Sequence, residues 1–136
     1  MDNSPWHLVL IGEQSRRKHP AFGVLVLNAL RLRGHNIILD HFGIQSDGAQ
    51  DLIAMINRLS MGPFVSLHGW TAKPISTLPS KSLHLITAKS EPFGLTIPEC
   101  IEKGIPVIAS RCGGPEELLP EEWLYPVDDL AACFQA

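Results

Sequence analysis

The sequence predicts a parallel α/β domain, a doubly wound, Rossmann-like sheet with helices on both faces. Short apolar runs alternate with segments of helical period along the 136 residues, the pattern of a sheet covered by helices. Gly or Pro stands at many of the joints between them. The chain has no internal repeat and no low-complexity stretch, and its length suits one ordinary domain with a real core.

The first strand is expected at residues 7–11, ending at Gly12. A polar loop, 13–19, leads to Pro20, which suits a first helical position because its missing N–H is not needed there. That helix runs to about Arg33, with Gly34 as the stop. A second strand at 36–40 gives way to a loop, and Asp47-Gly48-Ala49-Gln50 has the spacing of a capping box for a helix to about Leu59. The third strand is 64–68, closing on Gly69-Trp70, and the stretch 71–82, with Pro74 and Pro79, is irregular or one short turn. A fourth strand at 83–87 precedes a helix at 97–103, stopped by Gly104 with Pro106 just beyond. The fifth strand is 107–109, followed by the turn Arg111-Cys112-Gly113-Gly114, a short helix near Pro115 and a last helix beginning after Asp128. Five strand–helix units in series imply right-handed crossovers, and such sheets bind ligands beyond the carboxyl ends of their strands. The loops to search are therefore 12–19, 42–47, 69–73, 88–95 and 110–115.

Composition narrows the function. Hydrophobic and charged fractions of 45% and 18% are those of a folded globular protein rather than a disordered one. A formal charge of −3, with one short basic cluster at Arg16-Arg17-Lys18, argues against nucleic acid as a partner. No apolar run approaches the ~20 residues that span a bilayer, and the first residues, MDNSPW, do not read as a signal peptide. Cytoplasm is the expected compartment, and the three cysteines (Cys100, Cys112, Cys133), without CxxC spacing, fit it. Six histidines are scattered without ligand spacing, so neither a metal site nor a metal cofactor is expected.

The most informative stretch is residues 90–99, SEPFGLTIPE. It follows a strand and opens a helix, so free backbone N–H groups and the positive helix end point at the crevice. Gly94 allows close approach of a ligand to the backbone. Glu91 in the loop and Glu99 in the first turn can both face that crevice, and carboxylates accept paired hydrogen bonds from the vicinal hydroxyls of a sugar or ribose. Cradled phosphate beside hydroxyl-binding carboxylates outlines a nucleotide-sugar site. Other roles stay open. Thr96-Ile97-Pro98-Glu99 is also a capping box, which would make Glu99 a helix cap, and Glu91 reads equally as a solvated loop carboxylate.

The segment from Leu83 to Pro120 resembles the donor domain of group 1 (family 4) retaining glycosyltransferases of the GT-B fold. Two glutamates with seven residues between them, Glu91 and Glu99, flank Phe93-Gly94-Leu95, followed in order by Gly104-Ile105-Pro106-Val107, the Gly113-Gly114 turn and Glu117. LVLIGEQSRRKHP resembles the family's first donor-domain strand and its G-R-x-S-x-x-K-G loop, with Gly12, Ser15 and Lys18 in matching places. Glu13 stands where the family has Arg, His19 where it has Gly, and Ala88 where Ser is common. The resemblance covers roughly residues 7 to 129. It implies that Glu91 is catalytic and holds hydroxyls of the transferred sugar, and that Glu99 holds the ribose. Phe93, Gly94 and Leu95 would then give backbone contacts, and Lys18 would bind the diphosphate. Arg16 and Arg17 are the substitutes for the missing Arg. Trp70 and Thr71 are neighbours of the base, with Trp70 equally open to a packing role.

The resemblance further implies that residues 1–136 form one donor-binding half of a GT-B enzyme. Its substrate would be a UDP-, GDP- or ADP-linked sugar, used without a metal or other cofactor. Its partner would be an acceptor-binding domain upstream or on a separate subunit, and the chain alone would be inactive. A non-catalytic module that senses sugar nucleotides is the alternative. A dinucleotide-binding oxidoreductase is disfavoured because Gly12-Glu13-Gln14-Ser15 lacks GxGxxG.

Overall fold

The computed structural model describes residues 3–135. Six strands, β1 (Trp6–Ile11), β2 (Ile37–Phe42), β3 (Val65–Gly69), β4 (Ser82–Ile86), β5 (Val107–Ser110) and β6 (Leu124–Tyr125), lie parallel in the order β3-β2-β1-β4-β5-β6. The connecting helices are α1 (Pro20–Leu32), α2 (Ala49–Arg58), α3 (Ile97–Lys103), α4 (Gly114–Leu118) and α5 (Leu130–Gln135). Single 3₁₀ turns lie at Gly62–Phe64, Pro74–Thr77 and Glu121–Trp123.

Both faces of the sheet are covered, which is why β1 and β2 read as nearly unbroken apolar runs. On one face Leu8, Leu10 and Leu39 pack against Phe22 and Leu27 of α1, Leu52 and Ile56 of α2, and Cys133 of α5. On the other, Val9, Val107 and Ala109 pack against Ile97 and Cys100 of α3, with Ile75 and Leu119. Burying each such large apolar side chain contributes about 1.5–3 kcal/mol, so these two layers hold the sheet between them.

The doubly wound fold stands as expected, with three differences in detail. The sheet has six strands rather than five, because Leu124–Tyr125 pairs with Ala109–Ser110. Asp47 does not cap α2. Gly48 is the N-cap residue, without a side-chain cap, and Asp47 Oδ1 accepts instead from the Arg16 backbone N–H at 2.9 Å. Residues 41–42, expected in a loop, extend β2 by one dipeptide.

The strand order reverses between β1 and β4. Their ladder runs only from His7–Ser82 to Val9–His84, and beyond it the carboxyl-terminal residues of the two strands flank an opening. On the β2 side the loops stay together past the sheet, through Gly12 N–H to Phe42 O at 2.8 Å and Gln14 N–H to Ile44 O at 2.8 Å. A Cβ on Gly43 would lie 1.8 Å from Gly12 O, so only glycine lets the loops run this close.

Candidate donor-site crevice at the switch point

Two adjoining hollows form one crevice along the carboxyl edge of the sheet. The first, about 230 Å³, lies between the ends of β1 and β4, with Leu10, Ile11, Leu85 and Ile86 as walls and Lys18, Thr87, Glu91, Gly94 and Leu95 around them. The second, about 470 Å³, is lined by Phe42, Gly43, Trp70, Thr71, Ile75 and Glu99. Ile11, Gly12, Glu13 and Thr96 belong to both. Together they are of the size that small-molecule sites take, roughly 300–1,000 Å³.

Glu91 is the centre of the first hollow. Only 9% exposed, it is not a solvated loop carboxylate. Its Oε2 is ion-paired with Lys18 Nζ, and its Oε1 accepts from the Phe93 and Gly94 N–H groups at 3.3 Å each. Burial works against ionisation, but the Lys18 ammonium and the two N–H donors outweigh it and hold the carboxyl below its usual range. Arg17 stands alongside, its Nη1 donating to Ser90 O at 2.8 Å and lying 3.8 Å from Glu91 Oε2.

The loops that bring these groups together are stitched by backbone. Thr87 Oγ1 donates to Lys18 O at 2.8 Å, Lys89 N–H donates to Arg17 O at 2.7 Å, and Ser15 Oγ accepts from Lys18 N–H at 3.1 Å. From the other side, Glu91 N–H donates to Cys112 O at 2.7 Å and Glu91 O accepts from Gly114 N–H at 2.6 Å. The loop between β1 and α1 ends on His19 at φ 52°, the left-handed region in which glycine is at ease and other residues are strained. That explains why glycine is expected there. The His19 ring is held by Asp128 Oδ1 at 3.1 Å.

Glu99 lies in the second hollow and does not cap α3. Thr96, expected as the cap, has helical dihedrals, and its hydroxyl meets His84 Nε2 at 2.8 Å. His84 Nδ1 reaches Val9 O at 3.0 Å, and burial lowers the ring's pKa to about 4, so the neutral ring donates through Nδ1 and accepts from Thr96. His41, on β2, is likewise buried, and burial pushes its pKa down to about 4. Its Nδ1 has no partner among the described residues. Sequence reasoning missed His84 as the holder of Thr96. The available signal was a histidine between the apolar Leu83 and Leu85 of the strand.

Of the residues expected at the site, Lys18, Glu91, Gly94 and Leu95 meet in the first hollow, and Trp70, Thr71 and Glu99 in the second. Trp70 is 72% exposed, so it does not pack into the core of this domain. Arg16 and Arg17 are both exposed and neither lines the crevice, but Arg17 stands beside Glu91 at its edge. Phe93 is also outside the lining, its side chain exposed and its N–H turned to Glu91. Glu13, in place of the expected Arg, stands on the wall shared by both hollows. Among the described residues no group of three or more His, Cys, Asp or Glu is placed to hold a metal ion, and no helix is long and apolar enough to cross a membrane.

A parallel, doubly wound sheet whose crevice opens at the reversal of strand order defines a Rossmann-like ligand-binding domain. The chain belongs to the family described as "Glycosyl transferases group 1", whose model matches residues 2–122. No curated protein matches it at the sequence level. Among solved structures it is similar to the lipopolysaccharide outer core galactosyltransferase WaaB, at 22% identity and a TM-score of 0.79, covering 95% of this chain and 38% of that one. It is also similar to Anabaena Alr3699/HepE in complex with UDP and glucose, at 23% identity and a TM-score of 0.73, covering 89% and 35%. A third similar structure is the C-terminal domain of the group 1 family protein LpcC from Francisella tularensis, at 14% identity and a TM-score of 0.77, covering 94% and 72%. At these identities the likeness is one of fold, and the chain spans little more than a third of the first two.

Proposed function

We propose that this chain is the donor-binding half of a retaining glycosyltransferase, holding a nucleoside diphosphate sugar for transfer to an acceptor. The observation that carries this reading is the meeting of Lys18 and Glu91 at the switch point, with Glu99 farther along the same crevice. An ammonium suits the diphosphate, and the two carboxylates suit the hydroxyls at either end of it, sugar at Glu91 and ribose at Glu99. Backbone groups of Gly94 and Leu95 border the sugar end, and Trp70 and Thr71 the base end. Similar structures crystallised with UDP or UDP-glucose support the choice of ligand class.

In the reaction, the anomeric bond to the diphosphate breaks and releases a nucleoside diphosphate as a bond to the acceptor oxygen forms on the same face of the sugar. The acceptor hydroxyl's proton passes to the departing diphosphate. The residues at hand suffice for donor binding without a metal. The acceptor side comes from a second domain, so the isolated chain binds donor and transfers nothing. Three buried, unpaired cysteines suit work in the reducing cytoplasm. One observation favours the second reading, a sugar-nucleotide sensor: Glu13 puts a carboxylate where a diphosphate would pass.

Lys18→Ala tests the orientation. It is expected to weaken a nucleoside diphosphate about tenfold or more and the matching nucleoside hardly at all, since only the former has phosphate to lose a charge-assisted bond. Equal weakening of both, measured by calorimetry, would remove Lys18 from the diphosphate.

A further inference from the structure

The ammonium and the carboxylate that the donor reading assigns to different parts of the ligand are bonded to each other. Lys18 is also the one cationic side chain that lines the crevice among the described residues, and Glu13, Glu91 and Glu99 line it too. A phosphate entering the first hollow therefore meets a lysine whose charge is already matched, beside carboxylates that repel it. Glu91 cannot simply turn aside. Its Oε1 is held by the Phe93 and Gly94 N–H groups, and its backbone is fixed on both sides by Cys112 and Gly114.

We propose that the Lys18–Glu91 pair makes the crevice select a nucleotide sugar over the free nucleoside diphosphate that transfer leaves behind. The inference rests on the donor reading and adds a specificity to it. When a nucleotide sugar binds, Lys18 moves from Glu91 to the diphosphate and sugar hydroxyls replace Lys18 on Glu91, so both groups exchange one partner for another. Arg17, 3.8 Å from the same carboxylate oxygen, keeps a positive charge beside Glu91 during the exchange. A nucleoside diphosphate offers no hydroxyl for Glu91. Its terminal phosphate, unesterified, has a second ionisation near pH 6 and so bears roughly one more negative charge at neutral pH. It takes Lys18 and leaves Glu91 facing that added charge. The product is thereby the weaker ligand.

The test is calorimetric titration of the full chain and of Glu91→Gln with UDP, GDP and ADP and with the glucose conjugate of each. Gln keeps an oxygen for the Phe93 and Gly94 N–H groups but no charge. For at least one base, the unmodified chain is expected to bind the conjugate ~10-fold or more tighter than the diphosphate, a difference of ~1.4 kcal/mol. In Glu91→Gln the diphosphate should tighten about threefold or more while the conjugate weakens, so the preference disappears. Diphosphates that bind the unmodified chain as tightly as their conjugates for every base that binds, or that all fail to tighten in Glu91→Gln, overturn the selectivity and leave the donor site standing. Failure of every nucleotide and conjugate to bind the unmodified chain overturns the donor reading and the selectivity together. Melting temperatures establish that the variant is folded. If it is not, Glu91→Asp, whose shorter side chain draws the charge away from Lys18, must show the same tightening of the diphosphate.

Discussion

At Glu99 two roles compete for one carboxylate, and the structure separates them. A capping box needs Thr96 outside the helix with its oxygen on an N–H, whereas here Thr96 is helical and its hydroxyl is spent on His84. The Glu99 side chain is left to the second hollow, beside Trp70 and Thr71. Glu99→Ala and Glu99→Gln are therefore both expected to leave the melting temperature essentially unchanged. Nucleotide affinity should fall about tenfold to a hundredfold in each, because neither replaces two charged acceptors facing adjacent hydroxyls. Melting and calorimetry on the same two variants check this, and unchanged affinity would remove Glu99 from the ribose. The candidate carboxylates and Lys18 were legible because their spacing is local. His84 was not, since its role depends on Thr96 and Val9, brought to it by the fold rather than by spacing in a motif.

The loop carrying Glu91 owes its position to a neighbouring turn. Gly114 packs so tightly under it that a Cβ would lie 2.6 Å from Phe93 C and 2.7 Å from both Phe93 N and Pro92 C, all backbone atoms. Gly114→Ala must displace the loop, and is expected to cost about 1–3 kcal/mol of stability and to abolish measurable nucleotide binding. Gly34→Ala is the control. Its Cβ meets nothing within 4 Å, so it bears only the strain of φ +90° and should keep binding intact. Denaturant unfolding and calorimetry compare the pair, and normal binding by Gly114→Ala would show that the turn does not position Glu91. Most elements were readable from punctuation, such as Pro20 opening α1 and Gly104, at φ 80°, closing α3. Asp47 misled because its oxygen serves Arg16, thirty-one residues away in sequence. β6 is only two residues long, too short for any period, and is held by Arg111 N–H on Tyr125 O and the Tyr125 hydroxyl on Ile86 O.

Over the whole molecule, the series of strands and helices was enough to predict a doubly wound sheet with its ligands at the carboxyl edge. Which loops would meet there was a matter of strand order. Placing β1 beside β4 brings Lys18 to Glu91 across seventy-three residues and opens the sheet between them. The same order makes a direct spatial claim, that ligand binds at this edge and nowhere else. An apolar hollow lined by Trp6, Asn36, Leu83 and Pro106 lies at the opposite edge and serves as the internal comparison. The decisive measurement is an amide NMR titration of the chain with nucleotide sugars in buffer containing EDTA. The account predicts saturable shifts concentrated at Gly12 to Lys18, at Trp70 and Thr71, and at Gly94 to Thr96, with Trp6, Asn36 and Leu83 unmoved. Shifts centred on the opposite edge, or binding that appears only when a divalent metal is restored, would contradict it.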